Sequence, residues 1–156
     1  MKKIFLNSGI LLATLFIVNT AFAQNPHFLP KRPDVTTDAG TTLCSSGTLA
    51  GLGNYAGQNV QIQLICSGTT LTECSNPAGS VAPGQDDNTD YSSPIIMVKV
   101  DKQGKASYSI CTNEPTVTGA SAGCPNSKWT GSAKDVVFES GSAYLLINGQ
   151  RIDLTF

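Results

Sequence analysis

Apolar and polar residues alternate most clearly from residue 59. Val60, Ile62, Leu64 and Cys66 fall on one parity, with Gln61, Gln63 and Ile65 on the other. Period two sends successive side chains to opposite faces, so 59–66 is predicted to be a strand with one buried face. A weaker strand over 43–50 leads into it through Gly51, Gly53 and Asn54, and a Thr-rich strand over 69–75 carries Cys74. The run Ile95-Ile96-Met97-Val98-Lys99-Val100 predicts a mostly buried strand. Asp101-Lys102-Gln103-Gly104 is a turn signal, and Ala106, Tyr108 and Ile110 share a face beyond it, so 95–111 is predicted to be a hairpin. Another strand is expected over 133–139, with Val136 and Phe138 opposed to Val137. Between these runs, 76–94 (Pro77, Gly79, Pro83, Gly84, Pro94) and 112–127 (Pro115, Gly119, Gly123, Pro125) read as long polar loops.

The C-terminal pattern is sharper. Asn148-Gly149 between alternating runs is a strong hairpin signal, because both positions of the tight turn want positive φ. A two-residue turn there opposes Ile147 to Gln150, Leu145 to Ile152, Ala143 to Leu154 and Gly141 to Phe156. Directly opposed residues share a face. Leu145, Ile147, Ile152, Leu154 and Phe156 then lie on one side and Tyr144, Leu146, Arg151 and Asp153 on the other, so one register satisfies both strands. The whole pattern amounts to seven or eight short strands without an amphipathic helix. The expected fold is all-β, an antiparallel two-sheet sandwich of immunoglobulin-like type, with a small β-barrel as the alternative.

The first residues change the setting. Met1-Lys2-Lys3, an apolar stretch densest from Ile10 to Val18, and Ala21-Phe22-Ala23 have the layout of a cleavable signal peptide over 1–23, cut before Gln24. The apolar run is short for a membrane span. Residues 24–41, with Pro26, Pro30 and Pro33 and no period, read as a flexible leader, and 42–156 as a single β domain. The expected product is exported, to the periplasm or the outside of the cell. Without Lys2 and Lys3, 8 basic side chains face 11 acidic ones, and no basic stripe interleaved with aromatics points to nucleic acid.

Five cysteines, Cys44, Cys66, Cys74, Cys111 and Cys124, all follow the cleavage point, where oxidation is permitted. No C-x-x-C spacing suggests a zinc site or a redox pair. Two bridges and one odd thiol can be arranged in fifteen ways, so spacing alone leaves connectivity open. The odd thiol is either buried or used to link two subunits into a disulfide-bonded dimer.

Candidate chemistry is sparse. Asp86, Asn88 and Asp90 match the first three ligand positions of an EF-hand calcium loop, but Tyr91 stands where the turn glycine belongs and Met97 where the bidentate glutamate belongs. A solvated loop tip is the plainer reading, and no other cofactor is expected. The single histidine, His27, lies in the expected leader, where it could not be held against a nucleophile. Glu73, Glu114 and Glu139 form no recognisable catalytic pair. Trp129, Tyr55, Tyr91 and Tyr144 could stack on sugars at loop ends, although aromatics near strand ends more often pack in a core. Phe156 on a terminal strand is also a feature of outer-membrane barrels, but the strands here are short for a bilayer. Strand-donating pilins need an alternating extension that 24–41 lacks.

Two segments, Cys74-Ser75-Asn76-Pro77-Ala78-Gly79 continuing to Ala82-Pro83-Gly84-Gln85, and Cys124-Pro125-Asn126-Ser127-Lys128-Trp129, stand together with Gly51-Leu52-Gly53-Asn54. Over roughly 47–156 the chain resembles a group of small exported bacterial β proteins of uncharacterised function. The resemblance implies an exported β domain and a Cys74–Cys124 disulfide, and brings no activity with it. Such a bridge would tie the two long loops together and stabilise by roughly 3–4 kcal/mol. Cys44 and Cys66 could then face each other across the first hairpin, leaving Cys111 alone, but these three stay open. The expected function is a non-enzymatic binding or surface-assembly module for a protein or glycan, with 76–94 and 112–127 as its contact surface. A secreted hydrolase using paired carboxylates and a secreted protease inhibitor are the alternatives.

Overall fold

The structure is a computed structural model that describes residues 25–38 and 40–155. The expected export signal over 1–23 and Phe156 both lie outside the described residues. Ten strands run through the described residues: β1 (His27–Asp38), β2 (Thr42–Ala50), β3 (Asn59–Ser75), β4 (Val81–Pro83), β5 (Asp87–Ser92), β6 (Ile96–Lys99), β7 (Ala106–Cys111), β8 (Thr130–Phe138), β9 (Tyr144–Ile147) and β10 (Gln150–Asp153). They form two antiparallel sheets, open and not closed into a barrel, one of three strands in the order β1-β2-β7 and one of seven built around β3. No α-helix occurs among the described residues, and Gly53–Tyr55 makes a single 3₁₀ turn.

The long strand β3 organises the large sheet. One of its edges pairs first with β9 and then with β8, while the other takes β6, β5 and β4 in turn. The predicted strands 59–66 and 69–75 are therefore one strand of 17 residues, in which every even position from Val60 to Cys74 is buried. The middle was hard to read because Ser67-Gly68-Thr69-Thr70 carries no apolar residue. Alternation survives there because the inward hydroxyls find partners: Thr70 bonds the Tyr91 hydroxyl, and Thr72 Oγ1 donates to the Gln85 carbonyl at 2.8 Å. Gly68 sits where a Cβ would come within 2.9 Å of the Val137 carbonyl, so its lack of a side chain lets β8 approach.

The core lies between the sheets. Val60, Ile62, Leu64 and Cys66 of β3 join Leu145, Ile147 and Leu154 from the C-terminal hairpin, opposite Leu43, Leu49, Ala106, Tyr108 and Ile110 from β2 and β7. The hairpin has the register expected from Asn148-Gly149, with Ile147 opposite Gln150 and Leu145 opposite Ile152. Both turn residues are left-handed, at φ 47° and 83°.

Three expectations are corrected. The segment read as a flexible leader is instead β1, paired with β2 and burying Phe28, whose ring lies 6.5 Å from that of Tyr108. Pro30 and Pro33 lie in the register shift between Leu29 and Asp34. β1 is an edge strand, where proline's missing N–H need not cost a ladder bond, so proline obscured the strand without preventing it. The run 95–111 turns at 101–104, with Asp101 Oδ1 accepting the N–H groups of Gln103 and Lys105. Its strands do not pair with each other, however: β6 joins the large sheet and β7 the small one. A turn signal reports chain reversal, and which neighbour each strand then bonds is a tertiary choice. Finally, 76–94 is not a free loop, because β4 and β5 inside it pair with β3. The β5 sequence hides its strand because only Tyr91 of its six residues is buried.

Candidate functional site

The second half of β3 points Thr72 and Cys74 inward, and here the covering layer is made of chain connections. Cys74 forms a disulfide with Cys124, their Cα atoms 5.6 Å apart. The Gly84 N–H donates to the Thr72 carbonyl and the Gln85 N–H to the Ala122 carbonyl, at 2.9 and 2.8 Å. These links draw 84–85 and 118–124 into one ledge over the end of the sandwich.

Local sequence makes that ledge rigid. Thr118 and Ser121 exchange side-chain to backbone bonds of 2.8 and 3.1 Å, and the Cys124 N–H donates to the Gly119 carbonyl at 2.8 Å. Asn126 Oδ1 accepts the Lys128 N–H at 3.0 Å, and its carbonyl accepts the Trp129 N–H at the same distance. Asn and Ser make such turns because their short side chains reach nearby backbone N–H groups. A Cβ on Gly119 would stand 2.6 Å from the Trp129 carbonyl, so glycine lets the two arms of the ledge pack backbone to backbone. Between the arms is a cavity of about 460 Å³ lined by Gly119, Ala120, Cys124, Asn126, Ser127 and Trp129. Trp129 is half-buried.

The other expected site residues are scattered. Asn88 and Asp90 lie on β5, where Thr69 and Ser67 of β3 donate hydroxyl bonds to them at 2.5 and 2.6 Å, and Asp86 immediately precedes the strand. Alternate residues of an extended strand stand roughly 6.6 Å apart, whereas calcium needs its oxygens at about 2.3–2.6 Å from one centre. Asn88 and Asp90 of the candidate calcium set are thus laid out along a strand and not wrapped around a point, and no cluster of three metal-binding side chains occurs among the described residues. His27 opens β1, its Nδ1 lying 3.0 Å from the Asn25 carbonyl. Tyr91 is buried edge-on to Phe138, Tyr55 packs against the core, and Arg151 lies 4.0 Å over the ring of Tyr144. Glu73 and Asp86 line a second cavity, of about 400 Å³, together with Lys134. Glu139 borders a third with Asp90, and Glu114 a fourth.

The suggested Cys44–Cys66 pair is also corrected, because Cys44 bonds Cys111 directly across β2 and β7, with 4.0 Å between their Cα atoms. Leu43 and Ser45 point inward, so Cys44 faces outward from the small sheet, whereas Cys66 faces the core from the large one. Parity and sheet membership keep Cys44 and Cys66 apart. The odd thiol is Cys66, fully buried, and a dimer linked through it would require the core to open. Burial, and secondarily the charge of Asp90, pushes its thiol pKa up to about 12, which keeps it protonated and unreactive.

Sequence patterning left Thr72 and Ala122 unmarked and placed Gln85 and Gly119 only within the segment 82–85 and the loop 112–127. For Gly119 and Ala122 the signal was the run of small residues Thr118-Gly119-Ala120-Ser121-Ala122-Gly123, which permits close backbone packing. No family model, curated protein or solved structure matches this chain.

Proposed function

We propose that this chain is exported through a signal cleaved after Ala23 and acts outside the cytoplasm as a non-enzymatic binding or surface-assembly module, on an immunoglobulin-like scaffold. Two intrachain disulfides suit an oxidising compartment. No helix among the described residues is long and apolar enough to cross a membrane. The observation that carries the binding reading is the ledge. Two irregular segments far apart in sequence are fastened to each other and to the rigid strand β3 by Cys74–Cys124 and the Gln85–Ala122 bond. Loops held rigid by a scaffold are where binding residues concentrate. The test is a set of alanine substitutions over 84–86 and 118–128 in the exported protein, read by retention of surface proteins and glycans from its own cell. Loss of retention supports the reading, and retention indifferent to every substitution overturns it. Capture of a secreted protease through the same residues would recast the ledge as an inhibitory surface.

One observation favours a hydrolytic second reading. Glu73 and Asp86 converge on one cavity with Lys134 beside them, and paired carboxylates are the machinery of glycoside hydrolysis. Turnover of a polysaccharide panel that vanishes in both Glu73→Gln and Asp86→Asn would establish that reading in place of the first.

A further inference from the structure

We propose that the cavity beside Trp129 binds a neutral carbohydrate ring. This inference rests on the ledge being the contact surface and names the ligand class that the ledge takes. The cavity, about 460 Å³, falls within the roughly 300–1,000 Å³ of small-ligand sites. Its lining holds one indole, one carboxamide, one hydroxyl and the small residues Gly119 and Ala120, with no charged side chain.

Those groups complement a pyranose. A sugar ring presents an apolar C–H face to an aromatic surface and a rim of hydroxyls that both donate and accept. Trp129 supplies the aromatic surface. Because Asn126 Oδ1 is engaged by the Lys128 N–H, the orientation of its amide is set, and both hydrogens on its nitrogen are left without an acceptor among the described residues. Among the described residues the Ser127 hydroxyl likewise has no hydrogen-bond partner. Donors and acceptors without formal charge suit a neutral ligand. An extended proline-rich peptide fits less well, because such segments dock in grooves lined by several aromatic rings, and Trp129 is the single aromatic side chain in this cavity. The disulfide and the two Asx- and Ser/Thr-type turns hold the lining in place before a ligand arrives, which lowers the ordering cost of binding.

Trp129 is the only tryptophan of the chain, so its emission reports on this cavity alone. The exported protein is titrated with chitotetraose, cellotetraose and maltotetraose, and separately with a proline-rich decapeptide, by tryptophan fluorescence and calorimetry. The expected result is a saturable emission shift with at least one of the three glycans. Asn126→Ala should weaken that binding roughly tenfold, the value of one lost hydrogen bond. Trp129→Ala should abolish the calorimetric heat, with both disulfides and the thermal midpoint checked to show that the variant is folded. Silence with all three glycans, binding of the decapeptide in their place, or glycan binding that survives Trp129→Ala would each overturn the carbohydrate assignment. If the glycans are silent while alanine changes over 118–128 still release a protein partner, the ledge reading stands and the carbohydrate reading alone falls.

Discussion

Replacing Cys74 and Cys124 together by alanine should destabilise the protein by about 4 kcal/mol and free the ledge from β3. The bridge joins residues 50 apart in sequence. For a closed loop of that size, the chain-entropy estimate gives about 4 kcal/mol at 25 °C, a large share of the roughly 5–15 kcal/mol by which a domain is stable. With a urea m-value of about 2 kcal/mol/M, the unfolding midpoint should fall by about 2 M. The Cys44–Cys111 bridge spans 67 residues and has nearly the same entropic value, so a matching double alanine variant is an internal control. The local consequences should differ. Cys44 and Cys111 are already opposed in a ladder that continues to Leu49 and Ala106, which holds β2 against β7 without the bond. The ledge has no such ladder. Amide hydrogen exchange should therefore show the Gln85 and Cys124 N–H groups, bonded to the Ala122 and Gly119 carbonyls, losing protection in the first variant and keeping it in the second. A loss under about 1 kcal/mol, or equal protection of those amides in both variants, would refute the idea that the bridge is what secures the ledge.

Native Cys66 should resist iodoacetamide at pH 8 and react only after unfolding in urea, because its buried thiol is held protonated with a pKa near 12 in place of 9.0. Tyr108 is pushed up to about 12 as well, chiefly by burial, with the Ser45 hydrogen bond opposing the shift and Asp34 adding to it. Both groups are neutral when protonated and their folded pKa values are raised. Their contribution is thus complete below about pH 9 and is lost as pH climbs from 9 towards 12, so urea midpoints should fall across that window. Leu64→Ala, at a fully buried position of β3, should cost about 2–5 kcal/mol in urea unfolding by opening a core cavity. Asn148→Ala should cost about 1–3 kcal/mol, because it loses the bond from the Gln61 N–H to Asn148 Oδ1, at 2.8 Å, and forces a left-handed φ on alanine. Asn148→Gly should cost less, since only the bond is lost, and thermal unfolding of the two variants compares them directly.

Local chemistry in the chain determined more of the fold than of the site. Alternation at Val60, Ile62 and Leu64 and the Asn148-Gly149 turn needed no tertiary partner to be readable, because strand parity and positive φ are properties of a few neighbouring residues. Parity also carried the inward set of the C-terminal hairpin, Leu145, Ile147, Ile152 and Leu154. Where a strand is edge-lying or polar, that local signal fades. β1 is broken by prolines and β5 buries one side chain of six, and both exist because an adjacent strand supplies their hydrogen bonds. Tertiary structure alone decided which strands β6 and β7 would join, that Cys44 would meet Cys111 and not Cys66, and that Asn88 and Asp90 would lie on a strand with Asp86 just before it. It also decided the ledge, since Thr72, Gln85 and the segment from Ala122 to Trp129 are separate stretches of chain with no common local pattern. Such contacts arise from closing long loops, and the free energy of that closure is set by the whole packed fold and not by the residues on either side.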